Sequence, residues 1–390
     1  MTASATQETG LHTWESPERA ALRTLTGDFT RKHVVPHLAD WERAGEIPRE
    51  LHRLAADAGL LGASVPEEFG GSGGNALDML TILEEIILAG GSSGLVSALF
   101  SHGIATPHIV ASGNADLVDR FARPALQGRA IGALAITEPG GGSDVANITT
   151  TARRDGDEYV VNGAKLYITS GARADFVTTA VRTGEKGHAG ISLLVIPVGG
   201  TAGFTVARRL DKMGWLCSDT AELFFDDVRV PVRNLIGAEG SGFGQIAQQF
   251  QGERLSLAFQ AVATARRCLD LTIAWMTSRE SFGRPLSSRQ VLRHRVAEMA
   301  TDITSAETFC RSVAVRWVNG DGMLVETAMA KNTAVKVCDH VVHEAVQIFG
   351  GLGVMRESEV ERHYRDARVL GIGGGTTEIM NEIIGKLLGL

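Results

Sequence analysis

Several stretches of this 390-residue chain combine residue types and spacings that could do chemistry. Gly140-Gly141-Gly142-Ser143-Asp144 follows the apolar run Ile131 to Ile136. Three glycines before a serine can turn backbone N–H groups toward an anion such as a pyrophosphate, and an ordinary Gly-rich turn is the other reading. No βαβ unit surrounds it, so it is not a dinucleotide-binding fingerprint. Gln251-Gly252-Glu253-Arg254-Leu255 opens an amphipathic helix, and by itself Glu253-Arg254 reads as an exposed charge pair. Gly371-Ile372-Gly373-Gly374-Gly375-Thr376-Thr377-Glu378 is too flexible for a helix interior and too long for a simple turn. It is either a loop in close backbone contact with a ligand or a helix entry capped by Thr377. His343-Glu344-Ala345-Val346-Gln347 carries Gln where a zinc-binding HExxH motif needs its second His, so no metal site is expected. His340 and His343 share a helix face and read as surface residues, and His102 and His108 as structural ones.

The elements that must position these residues change along the chain. Ser16-Pro17-Glu18 is a helix start, with Ser as cap and Pro in the first turn, and helical patterns continue to about residue 128. Residues from about 130 to 240 turn to short β-rich runs, including a hairpin strand after Asp155-Gly156 and strands over 176–181, 191–198 and 222–230. Long helical patterns do not separate them, so an antiparallel β domain is expected rather than a βαβ array. From residue 242 the pattern is helical again, with Leu292, Val296, Met299, Ile303, Ala306, Cys310, Val313 and Trp317 forming an apolar seam. The expected organisation is α+β multidomain: an N-terminal helical domain over 1–128, a middle β domain over 129–241 and a C-terminal helical bundle over 242–390.

Composition narrows the function. The chain is 44% apolar and 21% charged, with 38 Lys and Arg against 45 Asp and Glu, a net charge of −7. A general nucleic-acid binder would need a basic face to neutralise phosphates. A local basic pocket for a phosphorylated ligand stays open. Cys217, Cys268, Cys310 and Cys338 lie far apart, as expected of reduced thiols inside a cell. The opening MTASATQETG lacks the basic and apolar parts of a targeting segment, and no run approaches the ~18 apolar residues of a membrane span. A soluble cytoplasmic protein with no membrane partner is expected.

Taken together and in order, the motifs resemble the acyl-CoA dehydrogenase flavoproteins. The resemblance rests on Ile136-Thr137-Glu138-Pro139-Gly140-Gly141-Gly142-Ser143-Asp144 and on Asn162-Gly163-Ala164-Lys165-Leu166-Tyr167-Ile168-Thr169. It continues through Ser218-Asp219-Thr220, Arg279-Glu280-Ser281-Phe282-Gly283-Arg284-Pro285-Leu286, Gln347-Ile348-Phe349-Gly350-Gly351-Leu352-Gly353 and Arg365-Asp366-Ala367. The resemblance implies a middle antiparallel β-barrel between two helical domains, the last a four-helix bundle, with FAD between barrel and bundle. By it, Ala135, Ile136 and Thr137 contact the isoalloxazine edge, Ser143 the pyrophosphate and the substrate, and Thr169 the region of N5. Tyr167 stands where the family usually has Trp. Arg279, Phe282, Gln290, Gln347, Gly350 and Gly351 resemble the part of the site given by a neighbouring subunit, and Thr376 and Glu378 the adenosine-side contacts.

The resemblance also implies a reaction. A carboxylate removes the α-proton of an acyl thioester, donors hold the thioester oxygen, and the flavin takes the β-hydride. Most of the family carries its base in a C-terminal Tyr-Glu-Gly-Thr stretch, which here reads Gly373-Gly374-Gly375-Thr376. The isovaleryl-CoA and long-chain members place the base on the bundle helix before an Arg, and Glu253-Arg254 matches that position. Gly374 then keeps a backbone N–H for the thioester oxygen, Arg254 helps hold the pantetheine arm, and Gly373 and Gly375 line the substrate. The missing side chains at Gly373 and Gly374 widen the pocket floor, which points to a branched or bulky acyl group on CoA or on a carrier protein. The expected assembly is a homotetramer, a dimer of dimers, passing electrons to an electron-transfer flavoprotein. The alternatives are a flavin-dependent monooxygenase on the same scaffold, which needs no carboxylate base, and a non-catalytic flavoprotein.

Overall fold

The computed structural model describes residues 12–390, so the N-terminal segment read above for targeting signals lies outside the described residues. The first domain starts where Ser16 caps the helix Pro17–His33, its hydroxyl accepting the Arg19 N–H at 3.2 Å. The helix Ala76–Leu88 begins with a capping box between Asn75 and Asp78. It is apolar almost all round because it lies between the Pro17–His33 helix and the C-terminal bundle, with Leu77, Leu80, Ile82, Leu83, Ile86 and Ile87 buried. His102 and His108 are buried in short helices, where the ring of His102 pairs with the Leu61 carbonyl at 2.9 Å.

Seven strands follow: β1 Gly132–Ala135, β2 Thr151–Asp155, β3 Glu158–Thr169, β4 Phe176–Arg182, β5 Ile191–Pro197, β6 Phe204–Arg209 and β7 Thr220–Pro231. They form one sheet in the order β1-β4-β2-β3-β7-β6, with β5 on the remaining edge of β4. The expected antiparallel pairing holds for β2–β3, β3–β7, β4–β5 and β6–β7, whereas β1 runs parallel to β4, Gly132 facing Phe176 and Ala135 facing Thr179. The long connection that makes β2 and β3 carries the chain back, as a parallel pair requires. Periodicity within β1 could not reveal this, since a four-residue strand reads alike in either direction. The β3–β7 register slips between Lys165 and Ile168, and this bulge sets Tyr167 in the left-handed region at φ 60°.

The helices Gly242–Ser278, Gln290–Val318, Leu324–Phe349 and Glu359–Leu370 pack around one apolar core, and the shorter helix Thr377–Leu387 closes against the third. The 242–278 helix has 37 residues, which at 1.5 Å per residue makes it about 55 Å long. It also packs against the 76–88 helix and reaches β5, so one rigid element spans the helical domains and the edge of the sheet.

Candidate active site

Glu253 lies near the start of the 242–278 helix, facing the loop that joins the 359–370 and 377–387 helices. A β-carbon built on Gly374 would stand 3.5 Å from Glu253 Oε1 and 2.7 Å from Leu257 Cδ1. Gly374 and Gly375 have φ +64° and +95°, where a side chain is strained and glycine is not. Burial pushes the Glu253 carboxyl above the usual carboxylate range, while Lys331 and Arg254 pull it back down. Arg254 is buried, donates through Nε to the Gly374 carbonyl at 3.3 Å, and lies 5.8 Å from the Phe250 ring centre. Thr376 rather than Thr377 caps the last helix, its hydroxyl accepting the Ile379 N–H at 3.3 Å, and Glu378 is exposed in the first turn.

Gly373 and Gly374 differ in what they leave open. At Gly373 a β-carbon would meet only the Val369 carbonyl at 3.7 Å. At Gly374 the Leu257 methyl already occupies the space, so of the two glycines expected to widen the pocket floor only Gly373 has room beside it. The reason is that Leu257 lies one turn after Glu253 on the same helical face.

A second group of expected residues lies at the end of β1. The Ala135 and Ile136 side chains are buried, so within this stretch Thr137 turns out the half-exposed side chain and Ala135 offers backbone alone. Lys165, buried on β3, donates to the Ile136 carbonyl at 2.9 Å and to Glu138 at 2.8 Å. Glu138 also accepts the N–H groups of Thr149 and Thr150 at 2.6 and 2.9 Å. Burial alone would raise its pKa, but Lys165 and these donors overcome that and hold it down at about 2. The Leu166 N–H bonds the Thr137 carbonyl at 2.9 Å. This clamp fixes Thr137 beside the exposed run from Pro139 to Asp144, with Tyr167 66% exposed and Thr169 partly so. Lys165 and Glu138 belonged to the quoted motifs, yet only the fold shows them as the pair that holds the loop.

The third group sits at the opposite end of the bundle. Arg279 follows the last turn of the 242–278 helix, with its guanidinium 5.7 Å from the Trp275 ring, and Trp275 stacks on Phe349 at 5.0 Å. Exposed Gln347, Gly350 and Gly351 therefore lie at the same end as Arg279. Gln290 begins the next helix, and Phe282 is 95% exposed at φ 53°. Glu253 and Arg279, the residue that caps the helix, are 26 residues apart along one continuous helix, a rise of about 39 Å. One chain thus does not bring the third group to the first.

The chain matches known proteins along nearly its whole length. Models of the acyl-CoA dehydrogenase N-terminal, middle and C-terminal domains match residues 16–129, 133–228 and 240–389. The chain belongs to the acyl-CoA dehydrogenase family. A probable acyl-CoA dehydrogenase of Bacillus subtilis, YngJ, is 36% identical over 373 residues, covering 95% of this chain and 98% of that one. The mitochondrial long-chain specific acyl-CoA dehydrogenase of Sus scrofa is 36% identical over 374 residues, covering 95% and 86%. The crystal structure of a probable acyl-CoA dehydrogenase from Mycobacterium abscessus superposes with a TM-score of 0.95 at 61% identity, covering 97% and 100%.

Family members are FAD-dependent oxidoreductases, and the exposed groups here fit that cofactor. Gly140 and Gly141 have nothing within 4 Å of a built β-carbon, which leaves a cradle of backbone beside Ser143. Tyr167 presents an aromatic ring to the same exposed surface, where it could flank a flavin. Lys331 is the residue that sequence reading missed in the first group. It is buried on the 324–349 helix, and its ammonium donates to the carbonyls of both Gly373 and Gly375. The available signal was its spacing, since Thr327, Lys331, Ala334 and Cys338 form one buried stripe and a charge on such a stripe needs partners.

Proposed function

We propose that this acyl-CoA dehydrogenase uses Glu253 as the base that removes the α-proton of its acyl thioester. The supporting observation is the carboxylate oxygen 3.5 Å from the β-carbon position of Gly374, where most relatives would begin their own catalytic side chain. The α-proton passes to Glu253, and the C–H electron pair moves toward the thioester carbonyl. Charge builds on the carbonyl oxygen, where the Gly374 N–H stabilises it. Among the described residues no group accepts a hydrogen bond from that N–H. Bound FAD supplies the acceptor for the β-hydride, so the substrate loses one proton and one hydride and gains a trans-2 double bond. Gly375 and Arg254 line the same loop for the thioester arm. A flavin monooxygenase would have no use for a buried carboxylate at this point.

The acyl class follows from the pocket floor. The space left at Gly373 suits a branched or bulky acyl group, on CoA or a carrier protein. Arg279, Phe282, Gln290 and the Gln347–Gly351 turn complete a neighbouring subunit's cofactor site in a homotetramer, a reading supported by their exposure and their distance from Glu253. Val291, Val354 and Met355 are exposed near them, as expected of a surface that a second copy covers. An electron-transfer flavoprotein is the proposed acceptor, and four buried free thiols fit a cytoplasmic location. The domain limits proposed are 1–128, 129–241 and 242–390. Steady-state kinetics across straight and branched acyl-CoAs with an artificial electron acceptor test the reading. Branched or bulky chains should give the highest kcat/KM, and turnover of short straight chains alone would overturn the acyl assignment.

A further inference from the structure

Lys331 lies beneath the Gly373–Gly375 loop, and its contacts decide which way the loop's backbone faces. The peptide bonds of this loop are trans, so each C=O points opposite to the N–H of the next residue. The Gly373 carbonyl accepts from Lys331, which turns the Gly374 N–H away from the lysine. The Gly375 carbonyl accepts from the same ammonium, and the Gly374 carbonyl accepts from Arg254. Three consecutive carbonyls are thereby held by two cations. The next residue of the helix ties down the far end of the loop, Asn332 donating to the Thr377 carbonyl at 3.1 Å.

We propose that Lys331 is a positioning residue that aims the Gly374 N–H at the thioester oxygen and supplies the positive charge facing Glu253. This rests on the reading of Glu253 as base and Gly374 as donor. Two glycines at positive φ have many conformations open to them, and without the lysine the peptide between Gly373 and Gly374 is free to rotate. The charged groups acting on Glu253 are Lys331 from the facing helix and Arg254 from its own, and those acting on Lys331 are Glu253 and Arg254. Burial lowers the Lys331 ammonium to about 8 despite the nearby Glu253, so it remains mostly charged at neutral pH. Loss of that charge leaves burial less opposed at Glu253. Its carboxyl then ionises at higher pH, and the acid limb of the reaction must move up.

The test is anaerobic stopped-flow reduction of the flavin-loaded enzyme by acyl-CoA across pH, with flavin content and light scattering as controls. Lys331→Met removes both donors and charge. It should slow reduction by about 10²–10³, the loss typical of an oxyanion donor, and move the acid limb to higher pH. Lys331→Gln retains a donor without charge and should show the same upward shift with a smaller loss of rate. Lys331→Arg should recover most of the rate and the original limb. If Lys331→Met does not retain flavin, Lys331→Gln decides by the same shift. A lower Tm with an unmoved acid limb, or unchanged rates, overturns the proposal. Glu253→Gln is run alongside. A fast Glu253→Gln variant means that the base reading is wrong, whereas a slow one beside unaffected Lys331 variants removes the role of Lys331 alone.

Discussion

Replacing Glu253 with Gln keeps the side-chain shape and removes the proton acceptor, and its cost can be worked from the surroundings. The carboxylate has no hydrogen-bonded partner among the described residues, and its ionisation is set by burial, Lys331 and Arg254. Lys331 and Arg254 lose a facing charge but keep the Gly373, Gly375 and Gly374 carbonyls as partners, so no donor on them is orphaned and the stability cost should stay modest. Glu253 faces the loop at Gly374, in the first of the three groups, whereas Thr137, Tyr167 and Thr169 belong to the second, so flavin should be retained. What disappears is the proposed base, a carboxyl that burial raises above the ordinary carboxylate range. A positioned general base is worth about 10²–10⁴ in rate. That corresponds to about 3–5 kcal/mol of barrier. Rapid mixing of the flavin-loaded variant with acyl-CoA under anaerobic conditions should show reduction slowed by that factor, with the flavin spectrum and oligomer unchanged. Reduction at the wild-type rate would refute the assignment and place the base elsewhere.

Arg279→Ala removes an exposed guanidinium at the far end of the bundle, and both bound flavin per chain and the oligomer measured by light scattering should decrease together. A fully flavin-loaded active monomer would contradict the shared site. Glu138→Gln leaves Lys165 buried without its counter-charge and should destabilise the fold by about 3–5 kcal/mol at neutral pH. Because the folded Glu138 carboxyl sits near 2, below its ordinary 4.5, its stabilisation is complete above about 4.5 and lost as pH falls toward 2. Melting temperatures of the variant should accordingly fall less steeply than those of the wild type across that window. Gly374→Ala places a methyl against Leu257 at a left-handed position, a strain of about 1–2 kcal/mol, and should slow flavin reduction. Gly373→Ala meets no such clash, so it should fold normally and shift kcat/KM toward slimmer acyl chains.

The architecture was legible because it depends on period and punctuation. The seam from Met299 to Val313 is buried at every fourth or third residue, Ser16 caps its helix, and β3 and β7 pair along their length. The residues gathered at the glycine loop and at the end of β1 could be named in advance because they lie in contiguous motifs. The parallel β1–β4 pairing was not, because partner choice for a short strand is a long-range matter. Nor was Leu257 filling the space beside Gly374, a contact between a helix and a loop more than a hundred residues on. Lys331 escaped because a buried lysine is identified by its partners, and those partners are backbone carbonyls that have no signature in the sequence.

The proposed position of the base and the shape of the glycine loop depend on each other. A carboxylate carried at position 374 would need a β-carbon at φ +64°, set against Leu257. With Glu253 on the helix instead, the loop bears no side chain there and can adopt the left-handed backbone that only glycine tolerates well. That backbone brings the carbonyls of Gly373 and Gly375 onto one ammonium and the Gly374 carbonyl onto Arg254. It leaves the Gly374 N–H without an acceptor among the described residues. The proposed base, Glu253, rides on the 37-residue helix that spans the molecule, which holds a side chain more rigidly than a glycine loop does. On the proposed reading the labour is divided: the helix carries the proton acceptor, and the loop, held from beneath, carries the donor for the charge that forms on the thioester oxygen.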